Sequence, residues 1–364
     1  MNYRLATILD REAISSDQTK VIDINLADPV SQFQIVYEVV NGNQAAGDGH
    51  PAKCVTKIEL VDGSEVLYSL SGQEAQAVDW YHNKKEPPNI VLYTNGMNSE
   101  MIFNMNFGRF LYDPLFAFAP KKFTNPQLKI TIDLNAGGSL SSSGYLTVLA
   151  QIFDGRTVEP TGFMMHKEIN NYSMGSASHE YVDLPVDFPI RKLLIAAQTY
   201  GTGPEYLINK IKLSEDNDRR VPINHTMFEL LRNMAQQTPP YREWIIGPGT
   251  TTAQYFYCTP CYWPAFACAG WRATIGGGDK NIYEGDGGRF KYVQTAAGPN
   301  WQAHVEGWAP HGVLEIPFGL QNEPDDWYDV SKLGNLRLDI LSVSGRSSTD
   351  TVQVFLQQLR KYAG

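Results

Sequence analysis

The sequence predicts an all-β protein built from two tandem β-sandwiches, and three observations support this prediction. The chain has 364 residues, which is more than one domain usually holds and enough for two hydrophobic cores. Aromatic residues make up 12% and charged residues only 19%, with 31 Gly and 21 Pro, a mixture typical of many strands joined by turns. The most informative observation is that the chain matches itself in order along most of its length.

This internal repeat is visible in five pairs of segments. The pairs are 21–36 with 181–196, 56–71 with 209–224, 101–108 with 313–319, 125–134 with 334–341, and 141–153 with 347–360. Any two β-domains share alternation and turns, but the identities here fall at unusual places, such as a Pro before a strand and a Phe-Gly at a strand end, which favours true duplication over that alternative. We therefore predict a duplicated sandwich.

Each copy should also contain one short helix directly after a hairpin. In the first copy, Ser71 and Glu74 form a capping box ahead of an apolar helical stretch. In the second copy, Asn224 is the equivalent candidate for the N-cap.

The repeat divides the chain into predicted units. Residues 1–18 precede the repeat and are expected to form an N-terminal arm, 19–178 the first sandwich plus a linker, and 179–364 the second sandwich. The offset between the copies grows along the chain, so the second copy carries about 58 additional residues, at roughly 240–311. Loops at one end of a sandwich can lengthen without disturbing its sheets, so this insertion is expected to be a surface loop or tower.

The insertion is rich in aromatic residues, which predicts a patch with a role in contacts. The candidates for a surface or intersubunit patch are Tyr262, Trp263, Trp271, Trp301 and Trp308. Packing between or within subunits is the favoured interpretation, and binding of a receptor or glycan is the alternative. The sequence leaves both interpretations open.

Charge and motifs argue against several functional classes. The net charge of −9 is unfavourable for direct, sequence-specific binding of nucleic acid, because phosphate binding is largely cationic. The first residues lack the apolar core of a signal peptide, which predicts a protein made in a cytosol. Neither a nucleophile elbow nor a phosphate-binding loop occurs, so we predict no enzyme, no catalytic residues and no cofactor.

The cysteines offer one weak metal-site pattern. Cys258 and Cys261 have half of a zinc-site spacing, and Cys268, His304 or His311 could complete the ligand set. A second pair with this spacing is missing, so small buried thiols packed beside the aromatics are favoured over a metal site or a local disulfide, and no metal is predicted.

Three strings in the first half carry a resemblance to a known family. They are KIELVDGSEVLYSLS at 57–71, FGRFLYDP at 107–114 and KKFTNPQLKIT at 121–131. Together with the duplication, they resemble the double jelly-roll major capsid proteins of tectiviruses and their relatives. In the second half the resemblance rests on the repeated pattern.

The resemblance implies a fold and a set of partners. Each sandwich would be a jelly roll, and a homotrimer would supply six of them as a pseudo-hexameric capsomer tiling an icosahedral shell. Partners would be neighbouring capsomers and vertex or minor capsid proteins, in a virion assembled in the host cytoplasm. Tyr3, Leu5, Ile8 and Leu9 could line one face of a short helix that contacts an internal membrane, or the N-terminus could clamp neighbouring capsomers.

A secreted protein that binds or processes glycans is the main alternative function. Tandem jelly rolls also occur in glycan-processing enzymes, and aromatic loops suit sugars. That class would need a signal peptide and a pair of catalytic carboxylates, and the sequence identifies neither.

Overall fold

The computed structural model describes residues 2–42, 49–137, 141–155, 157–270, 278–298 and 300–362. Strands and helices are numbered in chain order. The first half contains β1 (Tyr3–Ile14), β2 (Gln18–Asp23), β3 (Val30–Asn41), β4 (Val55–Asp62), β5 (Glu65–Leu70), α1 (Gly72–Asn83), β6 (Val91–Leu92), β7 (Asn98–Asn106), β8 (Pro126–Ile132) and β9 (Ser141–Phe153). Within the described residues, no helix combines the length and the apolar character needed to cross a membrane.

The second half contains more strands than the first. They are β10 (Gly162–Ser173), β11 (His179–Asp183), β12 (Ile190–Gln198), β13 (Ile208–Glu215), β14 (Arg220–Thr226), α2 (Met227–Gln237), β15 (Tyr241–Gly247), β16 (Gln254–Tyr257), β17 (Pro260–Gly270), β18 (Lys280–Asp286), β19 (Arg289–Gln294), β20 (Trp301–Pro310), β21 (Val313–Pro317), β22 (Leu336–Ser342) and β23 (Thr351–Lys361).

Two jelly rolls with the same strand order account for most of these elements. The first pairs a β1-β9-β3-β7 sheet with a β2-β8-β4-β5 sheet, and the second pairs β10-β23-β12-β21 with β11-β22-β13-β14. Eight antiparallel strands in two facing sheets are the jelly-roll arrangement. All five aligned sequence segments fall on strands in equivalent positions, so the predicted all-β double jelly roll is confirmed.

Alternating burial explains why these segments form sandwiches. In β3, with the sequence VSQFQIVYEVVN, every second side chain from Phe33 onward is buried and the side chains between are partly exposed. A strand of this kind must place one face against a second sheet. The inward-facing residues of the paired sheets form one continuous hydrophobic cluster through both halves of the chain.

Each jelly roll begins earlier in the chain than the sequence predicted. Tyr3–Ile14 is a strand of the first jelly roll, paired with β9, and therefore neither a separate arm nor a helix. The second jelly roll begins with Gly162–Ser173, which pairs with β23, well before residue 179. Both strands are hard to recognise in the sequence because their burial does not alternate regularly.

The two helices follow the hairpins as predicted, but one N-cap differs. Ser71 caps α1 and forms the expected capping box with Glu74. In α2 the capping box consists of Thr226 and Glu229, whereas Asn224 still belongs to β14 and pairs with Lys212. Asn and Thr are both good N-caps, so local preference could not tell how far the strand continues.

A parallel strand contact joins the two jelly rolls. His166 and Lys167 of β10 lie opposite Tyr68 and Ser69 of β5. Through this contact, sheets from both halves merge into one eight-stranded sheet with the order β2-β8-β4-β5-β10-β23-β12-β21. The jelly rolls are therefore one continuous body rather than two units on a linker.

A buried ion cluster forms the second connection between the halves. Glu315 of β21 accepts hydrogen bonds from Nζ of Lys192 on β12 and, at 3.0 Å, from Nζ of Lys84 at the end of α1. Lys192 also donates to the carbonyl oxygen of Tyr81 in α1 at 3.2 Å. Burial acts to raise the pKa of Glu315, but the charges of the two lysines outweigh burial and lower it. The cluster thus attaches the first helix to the second jelly roll.

Replacing Glu315 with Gln should destabilise the protein by about 3 kcal/mol, because the nearly inaccessible ammonium of Lys192 would lose its counter-charge. Urea unfolding at pH 7 measures this change. Asp183→Asn is the matched control, since Asp183 pairs with Arg337 at 3.0 Å on the exposed surface and its loss should cost less than about 1 kcal/mol. Equal effects of the two substitutions would contradict a structural role for the cluster.

Candidate interaction surface of the insertion

The insertion between α2 and β21 is itself a small β-sandwich. Its strands form a β17-β20-β15-β6 sheet and a β16-β19-β18 sheet. The short β6 comes from the first half and pairs in parallel with β15. The insertion therefore contacts both jelly rolls. His50, in the loop after β3, lies within hydrogen-bond distance of the Thr259 hydroxyl, and the backbone N–H of Gly201, in the loop after β12, donates to the carbonyl oxygen of Gly287.

Trp301 is the centre of the core of the insertion. Its side chain is fully buried and stacks on Tyr292, with 4.4 Å between ring centroids, while Phe256 meets it edge-on at 4.7 Å. The indole Nε1 donates to the carbonyl oxygen of Pro248 at 2.9 Å. Every polar requirement of this large side chain is met inside the insertion, so Trp301 is a packing residue.

The other predicted patch residues are distributed differently. Tyr262 is buried, and Trp308 is partly buried and donates from Nε1 to the carbonyl oxygen of Thr238 at 3.1 Å. Trp263 is 73% exposed, the highest value among the large hydrophobic side chains of the described residues. Trp271 lies outside the described residues. The structure thus does not bring the predicted patch together as one surface.

A cavity of about 360 Å³ lies beside Trp263, and we call it the Trp263 pocket. Its aromatic wall comes from Tyr206, Phe228, Tyr262 and Trp263. Tyr206 and Phe228 were not among the predicted patch residues, because they lie before the insertion, in a loop and on α2, and approach Trp263 only in the folded chain.

The charged residues that line the Trp263 pocket are Glu205, Arg232 and Asp286. Burial, aided by the negative charge of Asp286, raises the pKa of Glu205 to about 7. Burial also raises the pKa of Asp286. Arg232 places its guanidinium 4.6 Å from the ring centroid of Phe228. The pocket therefore combines the exposed side chains of Tyr206 and Trp263 with the partly desolvated carboxyl groups of Glu205 and Asp286.

The cysteine pattern does not form a metal centre in the structure. Cys258 and Cys261 are buried thiols that donate to the carbonyl oxygens of Pro260 and Thr259, and Cys268 donates to that of Lys280 at 3.4 Å. Burial raises the pKa of each of the three thiols, which disfavours the thiolate that a metal requires. Among the described residues no group of three or more potential ligands is suitably placed.

The two histidines considered with these cysteines have other contacts. The ring of His304 lies 4.8 Å from that of Trp244, and His311 hydrogen-bonds through Nε2 to Oε1 of Gln76 at 2.9 Å. His311 therefore links the insertion to α1 of the first jelly roll.

A buried carboxyl group lies at the base of the insertion. Oε1 of Glu243 accepts from the backbone N–H of Thr259 at 2.6 Å, and Oε2 accepts from the Thr259 hydroxyl at 3.0 Å. Nε2 of His50, from the first jelly roll, lies 4.0 Å from Oε2. Burial raises the pKa of Glu243 to about 7 and lowers that of His50 to about 3, so both groups favour their neutral forms.

Solved structures of other proteins have a similar architecture, although neither of the two sequence comparisons finds a match. No protein-family model matches the sequence, and no curated protein matches it. Solved structures do match the fold along the full chain. The crystal structure of the STIV MCP covers 100% of this chain and 98% of its own, with a TM-score of 0.60 and 13% identity, and STIV is Sulfolobus Turreted Icosahedral Virus.

Two further structures give similar matches. The major capsid protein P2 from bacteriophage PM2 covers 100% of this chain and 99% of its own, with a TM-score of 0.57 and 10% identity. PBCV-1 VP54 covers 98% of this chain and 94% of its own, with a TM-score of 0.57 and 10% identity. The chain thus has a double jelly-roll fold. This fold matches that of major capsid proteins, as the sequence resemblance implied.

Trp301→Ala should destabilise the insertion by about 3–5 kcal/mol, because it leaves a large cavity in an aromatic core. Trp263→Ala should change stability by less than about 0.5 kcal/mol, because a mostly exposed side chain loses little packing. Urea unfolding followed by near-ultraviolet circular dichroism measures both. Comparable losses would mean that Trp263 is packed in solution, against this protein or another copy.

Glu243→Gln should make stability less sensitive to pH. The pKa of Glu243 is raised from 4.5 in the unfolded chain to about 7 in the folded one, so the folded state retains the proton more tightly. The stability that protonation contributes is present below pH 4.5 and is lost as the pH rises to about 7.

The substituted protein lacks this titration. Its free energy of unfolding should therefore rise relative to that of the original protein by up to about 3 kcal/mol between pH 4.5 and 7.5. Urea unfolding across this pH range measures the difference in unfolding free energy between the two proteins. The contribution of His50 largely cancels, because burial lowers its pKa in both. A constant difference would show that Glu243 titrates normally.

Proposed function

We propose that this chain is a major capsid protein that assembles as a homotrimeric, pseudo-hexameric capsomer of an icosahedral shell. The observation that carries the proposal is the duplication itself. Two jelly rolls with the same strand order lie in one chain and are joined by a shared sheet, so three chains would supply six similar blocks. The full-length fold matches to capsid proteins support the same function.

The way the halves are joined suits such a unit. A closed ring needs head-to-tail contacts between unlike flanks, so the halves should be held rigidly while their surfaces differ. The pairing of β5 with β10 and the buried cluster around Glu315 provide the rigid joint. The equivalent hairpin turns differ, reading DGSE at 62–65 and EDND at 215–218.

The proposal includes partners beyond the trimer. These are neighbouring capsomers and vertex or minor capsid proteins, in a virion assembled in the host cytoplasm. Contact of the N-terminus with an internal membrane has less support, because Tyr3–Ile14 is paired with β9 while Ile8 and Leu9 pack against the core. Leu5, at 52% exposed, is the apolar residue of this strand left for such a contact.

In this proposal the chain acts structurally and not as an enzyme. The three full-length fold matches described above are to capsid proteins, and they give no support to a secreted glycan-processing protein. The buried polar groups also have structural explanations, since Glu315 pairs with lysines and Glu243 accepts from Thr259.

Purified protein should have a mass of about 122 kDa by light scattering, corresponding to three chains of 40.7 kDa. This mass should persist on dilution to about 1 µM, because capsomer contacts are large and obligate. Electron microscopy of concentrated protein should show six-lobed particles. A concentration-independent mass of one chain would refute the capsomer.

A further inference from the structure

We propose that the Trp263 pocket binds a neutral oligosaccharide. A sugar ring presents flat patches of C–H bonds and a rim of hydroxyl groups. The pocket offers both kinds of partner, because its lining includes the exposed rings of Trp263 and Tyr206 and the polar side chains of Glu205, Arg232 and Asp286. Its volume of about 360 Å³ lies within the range of small-ligand sites.

Two β-bulges of the insertion lie beside residues that line this pocket. The register of β17 against β20 shifts between Tyr262 and Ala265, and Trp263 has a left-handed φ of 50°. A left-handed φ is energetically unfavourable for a bulky side chain, and the indole of Trp263 is exposed to solvent in this conformation. Such strain next to a cavity is typical of functional positions.

The second bulge is on the opposite sheet. The register of β18 against β19 shifts between Tyr283 and Asp286, with Glu284 at a φ of 52°. The irregularity directly precedes Asp286, which lines the pocket. Both distortions thus border the same cavity.

Glu205 has an unused hydrogen-bonding atom in the same place. Its Oε2 is inaccessible to solvent and has no hydrogen-bond partner among the described residues. A buried acceptor without a donor is unfavourable, and a rotation of the Glu205 side chain toward the pocket would let a ligand hydroxyl donate to it. The unpaired oxygen thus favours a ligand with hydroxyl donors.

The charges of the pocket select the class of carbohydrate. Glu205 and Asp286 would repel sulfated or sialylated sugars, while Arg232 disfavours a cationic amine. An uncharged sugar chain meets neither obstacle, and its hydroxyl groups can both donate to carboxyl oxygens and accept from the guanidinium. We therefore expect recognition of neutral sugars.

This inference goes beyond the capsid proposal and does not require it. The pocket lies within one chain, formed by the loop after β12, by α2 and by the insertion. If the chain forms a shell, the pocket would serve attachment to a glycosylated surface. Binding of sugar by the purified protein tests the pocket alone.

The experiment uses the full-length protein with cellotetraose, maltotetraose and chitotetraose as probes, followed by tryptophan fluorescence and saturation-transfer NMR. At least one probe should give saturable binding below about 10 mM. Trp263→Ala should weaken that binding by at least about tenfold, and Glu205→Gln by about threefold or more. A heparin tetrasaccharide should not bind.

Trp244→Ala is the matched control. Trp244 is also on the insertion and 60% exposed, but it lies beside His304 and does not line the pocket, so sugar binding should be unchanged. Circular dichroism and light scattering of each variant report folding and the number of chains.

Three outcomes would overturn the inference. They are no saturable binding of any probe up to about 10 mM, equal losses from Trp244→Ala and Trp263→Ala, and a change in the number of chains on Trp263→Ala, which would assign the pocket to an intersubunit contact. A single-chain protein that binds sugar through Trp263 would refute the capsid proposal and leave the inference standing.

Discussion

The joint between the two jelly rolls is the constraint on which the rest of the structure depends. The backbone of β5 pairs with that of β10, and behind this contact the charge of Glu315 is shared between Lys192 and Lys84. Buried charges of this kind are strongly destabilising when one partner is missing, so they favour a single relative placement of the halves. A block of fixed shape is what repeated packing into a larger assembly requires.

The insertion uses its aromatic residues in two opposite ways. Trp301 and its neighbours fill a core that lets a short segment fold on top of both jelly rolls. Trp263 is displayed outward by a bulge in the same sheet. One side chain type thus supplies both the core of the insertion and its most exposed large apolar side chain among the described residues.

Much of the fold could be predicted because its strongest signals are local and repeated. The alternation along β3, the capping box at Ser71 and the order of the five matching segments all lie within short stretches of sequence. The first strand of each jelly roll was missed, since β1 and β10 lack regular alternation and owe their conformation to pairing with β9 and β23. The N-cap of α2 is Thr226 and not the predicted Asn224, because β14 continues as far as Thr226.

The sequence by itself determined the fold class, the duplication and the position of the insertion, because hydrophobic periodicity and turn residues act over a few positions. Tertiary structure alone decided which tryptophan is core and which is exposed, and that the cysteines and histidines are not brought together as ligands. It also decided that Glu205, Phe228 and Asp286, from three separate segments, share one pocket. Contacts between distant segments depend on register and loop path, which composition and local pattern do not specify.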